Sequence, residues 1–168
     1  MTTKFADLIS YFQTIAETHL SILHTSTEKH FYRLEIDEVL SGLSDINYPA
    51  LILEAYSLSY SDNKSDNPLK TRSGAFILLD HVVDPNDFDT IHSNLDALEV
   101  IGDDIISKIR KDKRDSTIKI VKDFKLDSVE VSTVSNIVGN DWGLRFEYEL
   151  TSPVPLDYDA TKWLSSSE

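Results

Sequence analysis

Cysteine is absent from the 168 residues. That excludes a disulfide framework and any thiolate metal site, and it fits synthesis in a reducing compartment. Positive charge is scarce: 16 Lys and Arg stand against 29 Asp and Glu, for a formal net charge of −13. A protein that grips phosphates in solution carries the opposite balance, so specific DNA or RNA binding is disfavoured. An acidic wall past which DNA slides without sticking is compatible with that charge. No apolar run approaches the ~20 residues of a membrane-spanning helix. Asp7 follows directly on Phe5 and Ala6, so no signal-peptide core is expected. The five glycines are scattered and build no Walker loop, dinucleotide turn or nucleophile elbow.

What is present is a chain that is 40% apolar, enough for a single domain with one sizeable core. Phe5, Leu8, Ile9, Phe12, Ile15, Ala16, Leu20 and Leu23 recur at steps of three and four, which predicts a first helix over 5–23. Phe31 to Ile36 alternates as a short strand, with a helical turn possible over 37–45. Tyr48 to Tyr60 reads as one strand, apolar on both faces at Ala50–Leu53 and alternating beyond Tyr56. A polar loop over 61–68 connects it to a return strand from Leu69 to Val83. These two segments predict a long β-hairpin that leaves the core as an arm.

Asp84, Pro85 and Asp87 are start signals for a second long helix, running to about Lys113 with Phe88, Ile91, Leu95, Leu98, Ile105 and Ile109 on its buried stripe. Ile118, Ile120 and Val121 fit strand or helix equally. Leu126 to Val138 is strand-like with a slip of phase that suggests a bulge. Trp142 to Thr151 alternates cleanly, and Pro153 and Pro155 end it. The expectation is an α+β fold: a mainly antiparallel sheet with a long projecting β-hairpin and two long helices packed on one face, one domain over 1–152 and a C-terminal contact arm over 153–168.

Residues of chemical interest admit plain structural readings. His81, Asp84 and Asp87 cluster where a strand meets a helix; a metal site is conceivable, but capping explains both carboxylates. His19 and His24 are five apart, off the i, i+4 spacing of two ligands on one helix face. Glu147 and Glu149 share a strand face and read as solvated. Asp62 and Asp66 with Asn63 and Asn67 lack the EF-hand pattern. No catalytic, cofactor-binding or metal-ligating residue is assigned, and no enzyme is expected.

Charge and aromatics are more informative. Between Lys108 and Lys125, eight Lys and Arg stand against three Asp, a local balance of +5 in a chain of −13. One reading is a cationic helix end followed by a solvated loop; the other is a basic patch that docks on the acidic face of a neighbouring copy. Aromatics on projecting segments favour partner contacts, with local packing against the body as the equal alternative. The candidate contact residues are Tyr56, Tyr60, Asp62, Lys64, Asp66, Lys70 and Arg72 on the hairpin, Lys119 and Lys122 in the basic segment, and Tyr158 and Trp163 in the tail.

The order of elements, Phe5 to Leu23, Tyr48 to Val83, Asp84 to Lys113 and Leu126 to Thr151, resembles the tail terminator, or tail completion, proteins of tailed phages. Asn47 to Glu54 and Arg72 to Phe76 are similar to phage-like virion proteins. The resemblance lies in pattern over nearly the whole chain and not in a motif. It implies a virion structural protein of the tail or neck, assembled in the host cytoplasm as a homo-oligomeric, usually hexameric ring. Such a ring stops polymerisation of the tail tube and joins the tail to the head or neck. The implied partners are the chain itself, a tail tube protein, a neck or connector protein, and passing DNA that is not specifically bound; no membrane is implied. Two departures, the tail from Pro153 and the basic segment before Leu126, leave the partner open. The competing readings are a head–tail connector, an acidic binding module, and a metal-dependent enzyme built on His81, Asp84 and the carboxylates of the sheet.

Overall fold

The computed structural model describes residues 4–34, 46–62 and 67–164. Among them are two α-helices and one six-stranded, mostly antiparallel sheet, an α+β arrangement. The strands are β1 (Phe31–Leu34), β2 (Ala50–Glu54), β3 (Ser57–Ser61), β4 (Leu69–His81), β5 (Phe124–Ser135) and β6 (Asp141–Pro153). They lie in the order β1-β2-β4-β6-β5, with β3 paired to β4 beyond the end of β2. The β1–β2 pair is parallel, which alternation within a strand cannot announce.

β4 and β6 pair over their full lengths, from Leu69 opposite Pro153 to His81 opposite Asp141. Side chains alternate between the two faces of this pair. On one face Phe76, Leu78, Leu144, Phe146, Tyr148 and Leu150 meet both helices, α1 (Phe5–Thr18) and α2 (Phe88–Lys113). Phe76 and Phe146 stack with centroids 4.8 Å apart and planes at 3°. Phe12 of α1 covers Phe76 at 5.5 Å and Tyr148 at 5.8 Å. On the other face a smaller apolar cluster holds Ala50, Ile52, Ile77 and Leu79 at the inner end of the sheet.

Three expectations need correction. α1 stops at Thr18, because the chain turns back: the His24 amide donates to Ala16 O at 3.0 Å and Leu23 takes a positive φ of 52°. Ile22 stays in the core, whereas Leu20 and Leu23 point to solvent. The second helix begins at Phe88 and not at Asp84: Asp87 is its N-cap, accepting from Thr90 N, while Asp84 closes the preceding turn through Asn86 N at 2.9 Å. Phe88 is therefore exposed. The strand expected over 48–60 is two strands. Leu53 faces Phe76 but Ser57 faces Ser73, four residues against three, so one extra residue bulges at Ala55–Tyr56. The bulge expected in the fifth strand lies between Lys125 and Glu130.

α2 sits close to the sheet because residue 102 has no side chain. A Cβ on Gly102 would stand 2.0 Å from Phe146 Cζ, and that ring is pinned by its stack on Phe76. Gly102→Ala gains about 1 kcal/mol of helix propensity, but overpacking a rigid ring costs more. The expected net loss is about 1–2 kcal/mol in urea unfolding; a gain in stability would show that the ring yields.

His24 links the end of α1 to β1. Its Nδ1 accepts from the amides of His30 at 3.0 Å and Phe31 at 3.3 Å, so the ring must be neutral there. Burial lowers its pKa below the ordinary 6.5, with Glu17 opposing. A depressed histidine pKa contributes stability that is present above about 6.5 and lost as pH falls through the folded value. The urea midpoint should therefore decline below pH 6.5, and His24→Leu should flatten that decline from a lower starting stability. An identical slope in the variant would contradict this.

Candidate functional site

The sheet face away from the helices changes character along its length. Beyond the inner apolar cluster it is polar and open, and it forms a cleft of about 600 Å3 lined by β2, β3, β4, β5 and β6. Its centre is Arg145 on β6. The guanidinium reaches across β4 to Glu54 on β2, with Nη2 at 2.7 Å and Nε at 3.1 Å from the carboxylate. Between β2 and β6 lies β4, whose Ala75 pairs with Glu147 and is fully buried. Arg145 also bonds Glu147. These hydrogen bonds, those to Glu54 first, hold its pKa above the ordinary arginine value.

One arginine does not neutralise this face. Glu130 of β5 lies directly opposite Glu147 of β6, and like charges facing each other across strands repel. Lys125 approaches Glu149 only to 4.0 Å. The β5 bulge is closed by Ser128, whose hydroxyl donates to Lys125 O at 2.7 Å and accepts from Glu149 N at 2.9 Å. The bulge brings Asp127 to the cleft as a further carboxylate.

The basic segment lies on the helix side. Asp112, buried at 3% exposure, fixes the end of α2. It accepts from Tyr11 Oη at 2.9 Å and from Lys108 Nζ at 2.5 Å, and Lys113 Nζ donates to Phe124 O. Burial, with the Asp112 bond second, pushes the Tyr11 phenol far above its ordinary range. Val121 anchors the following turn in the core. Arg110, Lys111, Arg114, Lys119 and Lys122 remain exposed around these anchors.

The candidate contact residues divide. Tyr60 is exposed, with Lys70 Nζ 5.4 Å over its ring. Asp62 is exposed; Lys64 and Asp66 lie outside the described residues. Tyr158 and Trp163 are 74% and 66% exposed and stack on each other at 6.1 Å. Tyr56 is half-buried against Phe5, edge to face at 5.4 Å. Arg72 is the correction: at 2% exposure it offers no contact surface. The one-residue bulge turns Tyr56 to the helix side of the sheet, where its ring lies 5.9 Å from the guanidinium. Glu54, Asp127, Glu130 and Arg145 were missed as a group, because strand pairing across up to 91 residues brings them together and no local spacing marks it.

His81, considered above as a ligand, lies against Tyr48 at 5.5 Å, and Asp84 and Asp87 are engaged in the turn and cap. Among the described residues no group of three His, Asp or Glu is placed to hold a metal ion. No helix among them is long and apolar enough to cross a membrane.

No protein-family model matches the chain, and no curated protein matches it. The geometry of these surfaces therefore carries the functional argument.

Arg72 sets one test. Its Nε and Nη2 are buried without a hydrogen-bond partner. Desolvating a guanidinium costs several kcal/mol, against about 2 kcal/mol for a desolvated cation–π contact with Tyr56. Arg72→Met keeps the apolar stem and removes the charge, so unfolding stability should stay equal or rise. A loss above ~2 kcal/mol would mean the charge is needed where it lies.

Proposed function

We propose that the chain is a ring-forming structural subunit of a phage-type tail, a terminator that caps the tail tube and presents the surface on which a head or neck joins. The observation that carries the reading is a sheet left open at both sides. Among the described residues β3 pairs only with β4, and β5 pairs only with β6. Two unlike open edges favour head-to-tail addition, and such addition closes into a ring when the rotation per step allows it.

In this reading the outer end of the β3–β4 hairpin is the projecting arm. Every residue of β3 is exposed, Leu58 and Tyr60 included. The stacked Tyr158 and Trp163 form a second arm. A tube protein and a neck protein meet the two rims of the ring, and the acidic balance of −13 keeps passing DNA from sticking. The order of elements described above supports this reading over an acidic binding module, which needs no self-complementary edges.

The test is native mass by light scattering over a concentration series. A six-copy ring of 19.0 kDa subunits gives about 114 kDa. Leu58→Lys combined with Tyr60→Lys should reduce the particle to a monomer while leaving the melting temperature within a few degrees, since both positions are exposed. A wild-type protein that stays monomeric at every concentration, and on tube ends, would overturn the proposal.

A further inference from the structure

The open face of the sheet and the C-terminal end of α2 carry opposite charge. On the open side Glu54, Asp127, Glu130, Glu147 and Glu149 stand against Arg145 and Lys125, five against two. At the C-terminal end of α2 and in the turn after it, seven Lys and Arg between 108 and 123 stand against Asp112, Asp115 and Asp123, whereas the earlier turns of α2 carry Asp89, Asp96, Glu99, Asp103 and Asp104. Of these aspartates, Asp112 is buried and paired with Lys108, while Asp115 stays ionised and accepts from Thr117 in its own turn, so the surface keeps a net excess of cations. Of the basic segment over 108–125, Lys125 is the residue that lines the acidic cleft, 4.0 Å from Glu149. Surfaces on opposite sides of one layer cannot both be satisfied by a two-fold contact, which uses the same patch twice. Head-to-tail stacking satisfies both.

We infer that the open acidic face of the sheet is the docking site for the basic end of α2 and its following turn in a second copy of this chain. The inference rests on the self-assembling reading above and specifies the contact. Arg110 and Arg114, one helical turn apart, and Lys119 and Lys122 beyond them supply the cations. Glu130 and Glu147, directly opposed without a cation between them other than Arg145, are their main target. The occupant is the chain itself because its own cationic segment is the complement of this face, and because the cleft is wide enough for several long side chains. The contact sets which way each subunit faces, as charge complementarity does at other interfaces.

The test is a charge exchange in the full chain. One variant carries Arg110→Glu with Lys122→Glu; the other carries Glu130→Lys with Glu147→Lys. All four positions are exposed, and circular dichroism and melting establish that each variant folds. Sedimentation velocity at low salt should show each variant associating at least ~10-fold more weakly than wild type, with association restored on mixing the two. Wild-type association should itself fall as salt rises toward ~0.5 M. Variants that assemble like wild type overturn the docking and leave the ring reading standing. Rescue that stops at a pair supports the docking and counts against the ring. Variants that stay apart on mixing overturn the docking, as does association that a chelator abolishes, which would assign the acidic face to a divalent cation.

Discussion

β4 is hydrogen-bonded on both sides along nearly its whole length, to β2 and β3 on one side and to β6 on the other. The rest of the structure depends on that double pairing. It fixes which residues of β6 face the helices, and so creates the Phe76–Phe146 stack on which α1 and α2 rest. It fixes equally which residues face away: Arg145, Glu147 and Glu149 become one polar row because Phe146 and Tyr148 must be buried. A register slip of one residue would exchange the two sets. The acidic face and the aromatic core are thus two consequences of a single register.

The bulges are departures from that register with consequences for the surface. The extra residue at Ala55–Tyr56 turns Tyr56, Leu58 and Tyr60 to the helix side and leaves Ser57, Ser59 and Ser61 on the open side. The outer part of the hairpin is then polar where it borders the carboxylates and aromatic where it meets Phe5 and Arg72. The bulge in β5 lets Ser128 bond the β6 backbone and brings Asp127 and Lys125 to the same cleft. Both bulges lie at the outer end of the sheet, where the apolar cluster of the open face has ended.

Much of the fold was legible because its periods are clean. Trp142 to Thr151 alternates without a break, and Ile91, Leu98, Ile105 and Ile109 mark one helix face. The failures have physical causes. Leu20 and Leu23 continue the helical period of α1, but the turn at His19–His24, made by backbone bonds and a left-handed Leu23, ends the helix first. Arg72 reads as surface in a polar hairpin, yet pairing of β4 on both sides sinks it beneath Tyr56. The cleft could not be read from spacing, since Glu54 and Arg145 lie 91 residues apart and meet only because β4 pairs with both β2 and β6. The segregation of charge was legible, in the +5 segment of an acidic chain; which side of the sheet each charge occupies was not.

A chain with this much net negative charge repels its own copies at long range. Association then needs a local attraction, and in the proposed contact the cationic end of α2 and the acidic open face supply one with a direction. The central claim is that these two sides meet between molecules. Zero-length carbodiimide cross-linking of an equal mixture of isotopically light and heavy protein tests it most directly. The account predicts mixed light–heavy cross-links joining Lys119 or Lys122 to Glu130 or Glu147. Cross-links from those lysines that are confined to single molecules, or that join to other surfaces of a neighbour, would contradict it.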